Sequence, residues 1–370
     1  MNDAAYATIE SILGSENVSR DPAVLDSYIY QTFGGGPERF GDIRPACVAL
    51  PSTTEEVQAV TKACNRHGLK LKAHSTGWGA WNNPGSEGVV MLDLRRMNRL
   101  VEINERDMYA VVEPYVIWGQ LQAEIMRVGL NCCAIGAGSA TSPLASCTSV
   151  QGVGSNSVSM GYNARNILGV EWVLPDGEVL RLGSLGSGAG WISGDGPGPS
   201  LRGVMRGAFG AFGGLGVFTR CAIRLYHWGG PPELPSENII SSEERLVEYQ
   251  ENVELANICF EDRASLLDAI AKIGEAEIAY SMGLMERGLI SLALGSDNLQ
   301  AAQARERILP LLPKHAVSVL LVTSSRRELD YQRRALKRIA EQTGGKDIEL
   351  LKDPAMRDMI TLSETVRNFV

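Results

Sequence analysis

The sequence is poor in residues that carry chemistry by themselves. Its 370 residues include four His and seven Cys. There is no CxxC, and no His stands at metal-ligand spacing from a Cys, so no metal site is expected. An odd, scattered set of thiols does not make a disulfide framework. Reduced, mostly buried thiols and a cytoplasmic location are expected instead. No Lys/Arg-rich block occurs and the net charge is −8, which excludes a dense basic face for nucleic acid. No apolar run approaches the roughly 18 residues that span a bilayer. The opening MNDAAYATIESILG carries Asp3 and Glu10 and lacks the basic start and apolar core of a secretory leader. No GxGxxG follows the first strand, no P-loop is present, and no GxSxG offers an acyl-transfer nucleophile.

What is present is an ordinary globular composition, 44% apolar, in a chain long enough for two domains. Ala4 to Leu13 reads as a short helix, followed by a polar arm that ends in Gly34-Gly35-Gly36. Ala46 to Leu50 reads as a strand. Thr53 or Thr54 caps a helix with Glu55 and Glu56 in its first turn, and Val57, Val60 and Cys64 form its apolar stripe. Leu69 to Ala73 completes a β-α-β unit. Further strands are expected at 89–94 and 109–113, a helix at 118–128, a Pro-Asp-Gly hairpin joining 167–174 to 179–182, and a strand at 216–226. Residues 142–161 look too irregular for either element, 183–200 read as a long loop, and 203–212 as a short helix. The run HWGGPPELP, 227–235, is a linker. Beyond it come strands at 253–260, 276–285, 290–294 and 316–322, helices at 264–273, 299–309 and 326–342, and a tail at 354–370. Two β-α-β-like halves here suggest an α+β sandwich.

Three segments rich in Gly, Ser and Thr stand beside strands: 75–79, 139–161 and 207–216. Glycine lets a backbone approach a ligand closely, and successive N–H groups in such a loop form an anion-binding nest. Three such loops suit a long phosphorylated ligand such as a dinucleotide. Neutral amides would hold its phosphates without Lys or Arg, in keeping with an acidic chain.

Four ordered stretches carry a resemblance. RPACVALPSTTEEVQAVTKACNRHGLKLKAHSTGWGAW, VVMLDLRRMNRLVEINERDMYAVVEPYVIWGQLQAEIMRVGL, SVQGVGSNSVSMGYNARNILGVEWVLPDGEVLRLGS and GAFGAFGGLGVFTRCAIRLY resemble successive parts of the vanillyl-alcohol oxidase / p-cresol methylhydroxylase superfamily. The similarity runs from Arg44 to about Trp228. It implies an α+β fold: a two-subdomain FAD-binding domain of the p-cresol methylhydroxylase type over 44–228, an N-terminal arm over 1–43, and a shortened ferredoxin-like cap over 236–370. It implies FAD as cofactor. Ser75, Thr76, Gly77 and Gly79 would wrap the pyrophosphate, with Trp78 and Trp81 shielding the turn or packing on the flavin. Ser149, Gly152, Ser155 and Asn156 would line the pyrophosphate and isoalloxazine from the other side, and Gly161 would end that loop. Gly216 and Val217 would meet the adenine or ribose end through backbone atoms.

The resemblance implies an FAD-dependent dehydrogenase or oxidase that moves hydride from an alcohol to flavin N5, with a 2-hydroxy acid as the first substrate class and a phenolic or aryl alcohol as the second. No catalytic base is assigned. The His-rich stretch of hydroxy-acid members has no counterpart, since His227 falls in the linker and His315 in a loop. His74 flanks the first loop and is a candidate flavin attachment point. Cys132, Cys133 and Cys147 read as buried packing. Arg326, Arg327, Arg333, Arg334, Lys337 and Arg338 make a basic helix face that reads as solvated, or else as a dock for an acidic partner subunit or a carboxylate substrate. A third reading is an FAD-carrying electron-transfer subunit of a hetero-oligomer.

Overall fold

The computed structural model describes residues 1–29, 43–77, 82–134, 138–149, 152–194, 215–233, 252–285 and 312–348, with isolated positions between 234 and 311. The expected helix at 203–212, strand at 290–294 and tail at 354–370 lie outside the described residues. The chain forms two compact units. The first comprises Met1–Leu121, Ala137–Val153 and Tyr162–Leu225. The second comprises Gln122–Gly136, Gly154–Gly161 and Tyr226–Val370.

In the first unit, α1 (Asp3–Leu13), β1 (Val18–Ser19) and α2 (Pro22–Asp26) precede β2 (Cys47–Ala49), α3 (Thr54–Arg66), β3 (Lys70–His74) and β4 (Val89–Asp93). The strands form a sheet in the order β1-β2-β4-β3, in which β2 and β3 both run parallel to β4. Thr53 caps α3 by accepting from the Glu56 amide at 3.1 Å, and the Glu56 carboxylate accepts from Ser52 N at 2.6 Å. Ile9, Leu13 and Val18 pack in one core with Val57, Val60, Cys64, Val90 and Leu92. The N-terminal segment therefore contributes to the core that carries the parallel sheet.

A second sheet of this unit is antiparallel. It joins β5 (Leu100–Asn104), β6 (Tyr109–Val112), β8 (Ile167–Val173), β9 (Val179–Leu182) and β10 (Val217–Arg224) in the order β5-β6-β10-β8-β9. The sequence reading does not anticipate β5, whose residues are half-buried or exposed and show no clean alternation. The segment 142–161 is more regular than expected. It forms α5 (Pro143–Thr148) and α6 (Ser157–Met160). The Ser142 side chain accepts from the Ala145 amide at 3.2 Å, and Pro143 at the first helical position needs no donor partner. Likewise the expected loop at 183–200 begins with a 3₁₀ turn over Gly183–Ser187.

The second unit includes α4 (Trp118–Arg127) from Gln122 on, the short pair β7 (Leu130–Asn131) and β11 (Tyr226–His227), and an antiparallel sheet. That sheet joins β12 (Val253–Phe260), β13 (Ser281–Leu284), β14 (His315–Val322) and β15 (Lys346–Asp347) in the order β13-β14-β12-β15. Helices α7 (Arg263–Glu275) and α8 (Arg326–Thr343) pack on it through Leu266, Ile273, Leu329 and Leu336, against Ile258, Val317 and Val319. A β-α-β-β-α-β path with this strand order is the expected ferredoxin-like arrangement. The helix runs further than expected, to Glu275, so the next strand starts only at Ser281.

Candidate functional site

Strand β3 ends at His74, and Ser75, Thr76 and Gly77 then turn away from the sheet, half-buried. Among the described residues, none of these three amides donates a hydrogen bond to the protein. The Gly77 carbonyl is held by the Asn82 side-chain amide. Gly77 has φ of +75°, a conformation that glycine adopts without the clash a Cβ brings. A Cβ there would also lie 3.2 Å from His74 Nε2. Three N–H groups without a partner among the described residues, on one turn at the carboxyl end of a parallel strand, are the donors that an anion nest requires. Trp78, Gly79 and Trp81 lie outside the described residues.

A polar cluster that the sequence reading missed backs this turn. Asp93, the last residue of β4 and 0% exposed, sits opposite His74 in the parallel register. The Tyr28 hydroxyl donates to Asp93 Oδ2 at 2.6 Å. The Arg95 amide donates to Asp93 Oδ1 at 2.9 Å and its guanidinium to Oδ2 at 2.7 Å, with a further bond to the Tyr28 hydroxyl at 3.1 Å. Tyr28 meets the His74 ring edge to face, with centroids 5.3 Å apart and planes at 69°. Burial pushes the Tyr28 phenol up, followed by its bond to Asp93, so it stays a donor at neutral pH. Burial also pushes the His74 imidazole down from its ordinary value, which keeps it neutral. Lys72, on the same strand, donates to the Asn83 carbonyl, and burial lowers its pKa as well. A signal for this cluster exists in the sequence. VVMLDL places a carboxylate in an apolar strand, and such a group needs partners. Glu113 and Glu171 are buried in the same way and meet Arg99 at 2.7 Å and Arg181 at 3.0 Å.

The other expected residues fall into both units. In the first, Ser149 closes α5 and its amide donates to Ala145 O at 2.9 Å, while the Gly152 amide donates to Ser146 O at 3.2 Å. These two amides are committed within the protein. Gly216 has φ of +119°, and a Cβ there would lie 2.3 Å from Val173 O, so only glycine fits. The same point lies 2.7 Å from Trp172 Nε1, a buried donor without a partner among the described residues. Val217 opens β10 opposite Val173, with its side chain in the core. In the second unit, the Ser155 carbonyl accepts from Met282 N at 2.9 Å. Asn156 Nδ2 donates to Cys132 O at 2.8 Å, and its buried Oδ1 has no partner. Gly161 caps α6.

The remaining candidates are quieter. Cys132, Cys133 and Cys147 are buried, and desolvation raises the Cys133 thiol to about 11, far from a reactive thiolate. His227 ends an edge strand and His315 opens β14. On α8 the cations Arg326, Arg327, Arg334, Lys337 and Arg338 are exposed, while Arg333 pairs with Glu254 and Asp330. Among the described residues no helix is long and apolar enough to cross a membrane, and no group of three His, Cys, Asp or Glu side chains is arranged to hold a metal ion.

A parallel sheet ending in bare amides, an antiparallel companion sheet and a ferredoxin-like second unit together define the fold of the p-cresol methylhydroxylase-type flavoproteins. The structure of p-cresol methylhydroxylase with substrate bound superposes on it with a TM-score of 0.73 at 20% identity, covering 99% of this chain and 71% of that one. Residues 45–183 match the FAD binding domain, and this match, with the FAD-linked relatives, supports FAD as the cofactor. The free amides of Ser75–Gly77 and the unpartnered Trp172 Nε1 fit such a group. The 4-cresol dehydrogenase (hydroxylating) flavoprotein subunit of Pseudomonas putida is 32% identical over 213 residues, 55% of this chain and 39% of its own length. The probable mitochondrial D-lactate dehydrogenase of Danio rerio is 29% identical over 248 residues, 62% of this chain and 44% of its own. The chain thus spans about two fifths of the length of these curated relatives.

Proposed function

We propose that the protein is an FAD-dependent oxidoreductase acting on a CH–OH group. The observation that carries this is the Ser75–Gly77 turn, whose three amides have no partner among the described residues and suit the two phosphates of FAD. Bound there, FAD supplies the hydride acceptor. The chain's own part is to clasp the diphosphate and to hold the substrate carbon in line. Ser149 and Gly152 on one segment, and Ser155, Asn156 and Gly161 on the next, remain our assignment for the walls, with Gly216 and Val217 at the adenine end. We keep the boundaries 1–43, 44–228 and 236–370 as part of the proposal, with a cytoplasmic location.

A 2-hydroxy acid is the first substrate class, supported by the similarity to a D-lactate dehydrogenase. A para-substituted phenol or aryl alcohol is the second reading, supported by the similarity to the 4-cresol dehydrogenase flavoprotein subunit. That relative is a subunit, which also supports a partner chain or electron acceptor for this protein. The deciding experiment is anaerobic titration of the FAD-loaded protein with D-2-hydroxy acids, para-alkyl phenols and aryl alcohols, following loss of visible flavin absorbance. Bleaching by a hydroxy acid upholds the first class and bleaching by a phenol the second. A flavin that neither bleaches, but dithionite does, overturns both in favour of an electron-carrying subunit.

A further inference from the structure

We propose that Tyr28 and His74 are positioning residues for the cofactor: together they form a strut that sets the curvature of the Ser75–Gly77 turn and thereby the strength of its grip on the FAD diphosphate. This rests on the reading of that turn as the diphosphate clasp.

Three amides hold an anion only if their N–H vectors converge, and a turn of small residues has many conformations to lose on converging. Nothing in Ser75-Thr76-Gly77 restrains itself, because among the described residues neither hydroxyl makes a hydrogen bond. Two outside contacts restrain it. Asn82 fixes the Gly77 carbonyl, and His74 Nε2 stands so near Gly77 that a Cβ built there would lie 3.2 Å from it, a tight contact.

A ring used this way must itself be fixed. Its neighbour Tyr28 packs edge-on against it and is 6% exposed. Tyr28 in turn cannot rotate without breaking its 2.6 Å bond to Asp93 and its 3.1 Å bond from Arg95. Asp93 is anchored by the sheet and by three hydrogen bonds from Arg95. The chain of contacts therefore runs from the sheet through a carboxylate, a phenol and an imidazole to the turn. Its second member comes from the N-terminal segment, which carries no glycine-rich motif at that point.

The test compares two ligands on the full-length apo-protein, FAD and riboflavin, which share the ring system but not the diphosphate. Affinities are read from flavin fluorescence for the wild type, Tyr28→Phe, His74→Ala and His74→Gln. The expected result is a dissociation constant for FAD that rises about tenfold in His74→Ala and about threefold in Tyr28→Phe, with riboflavin unchanged within twofold. His74→Gln, which keeps a polar side chain of similar reach, restores at least half of the lost FAD preference. Equal weakening of both ligands, or no change in the ratio, overturns the strut. A wild type that binds FAD no more tightly than riboflavin overturns the clasp itself, and the strut with it.

Discussion

Two stretches of this chain are both rich in Ser and Gly and differ in how they satisfy their amides. Ser75-Thr76-Gly77 ends a parallel strand with its amides free, braced from outside by His74 and Asn82. The stretch from Ser142 to Gly161 folds on itself. Ser142 caps α5, Ser149 and Gly152 return their amides to Ala145 and Ser146, and α6 takes up Ser157 to Met160. Small residues therefore do not by themselves make an anion site. What separates the two is whether local geometry satisfies the donors, and in the first case the sheet carries the chain outward before it can.

Four changes sharpen or break this contrast. The largest effect is expected at Arg95→Met. It leaves the fully buried Asp93 with Tyr28 and one amide, and unfolding in urea should show a loss of about 2 kcal/mol. Next, Gly77→Ala forces a side chain into positive φ and against His74. FAD should bind about tenfold more weakly, near 1.4 kcal/mol, by fluorescence titration. Ser142→Ala removes the α5 cap and the bond to Pro114 O, with a stability loss of about 1 kcal/mol. Its preference for FAD over riboflavin should not move, and a loss there equal to that of Gly77→Ala would erase the distinction between the two stretches.

The smallest effect is in pH. Burial holds His74 below its ordinary pKa of 6.5, so below that pH the unfolded chain binds a proton that the folded one refuses. Stability should fall as pH drops through 6.5 toward the lower folded value, and His74→Gln should flatten this part of the profile in thermal melts.

Much of the architecture was legible because side-chain period and caps agree. The strand at 253–260 and the helix from Arg326 follow directly from residue patterning, with Gly344 ending the helix; the structure adds Ser325 as its N-cap. Strand β5 was not, because both its faces are partly wet and the period-2 signal is lost. The glycine turn was legible as a candidate, but its brace was not. Tyr28 and Asp93 are 65 positions apart, and the apolar setting of Asp93 in VVMLDL hinted only that the carboxylate had partners, not which.

The position of Tyr28 has a practical consequence for anyone who trims this gene. A fragment begun at Arg44, where the family-like sequence starts, would discard the phenol from Asp93 and remove Ile9, Leu13 and Val18 from the hydrophobic interior. Such a piece would keep every glycine of the dinucleotide motif and still lose its yellow colour on a desalting column.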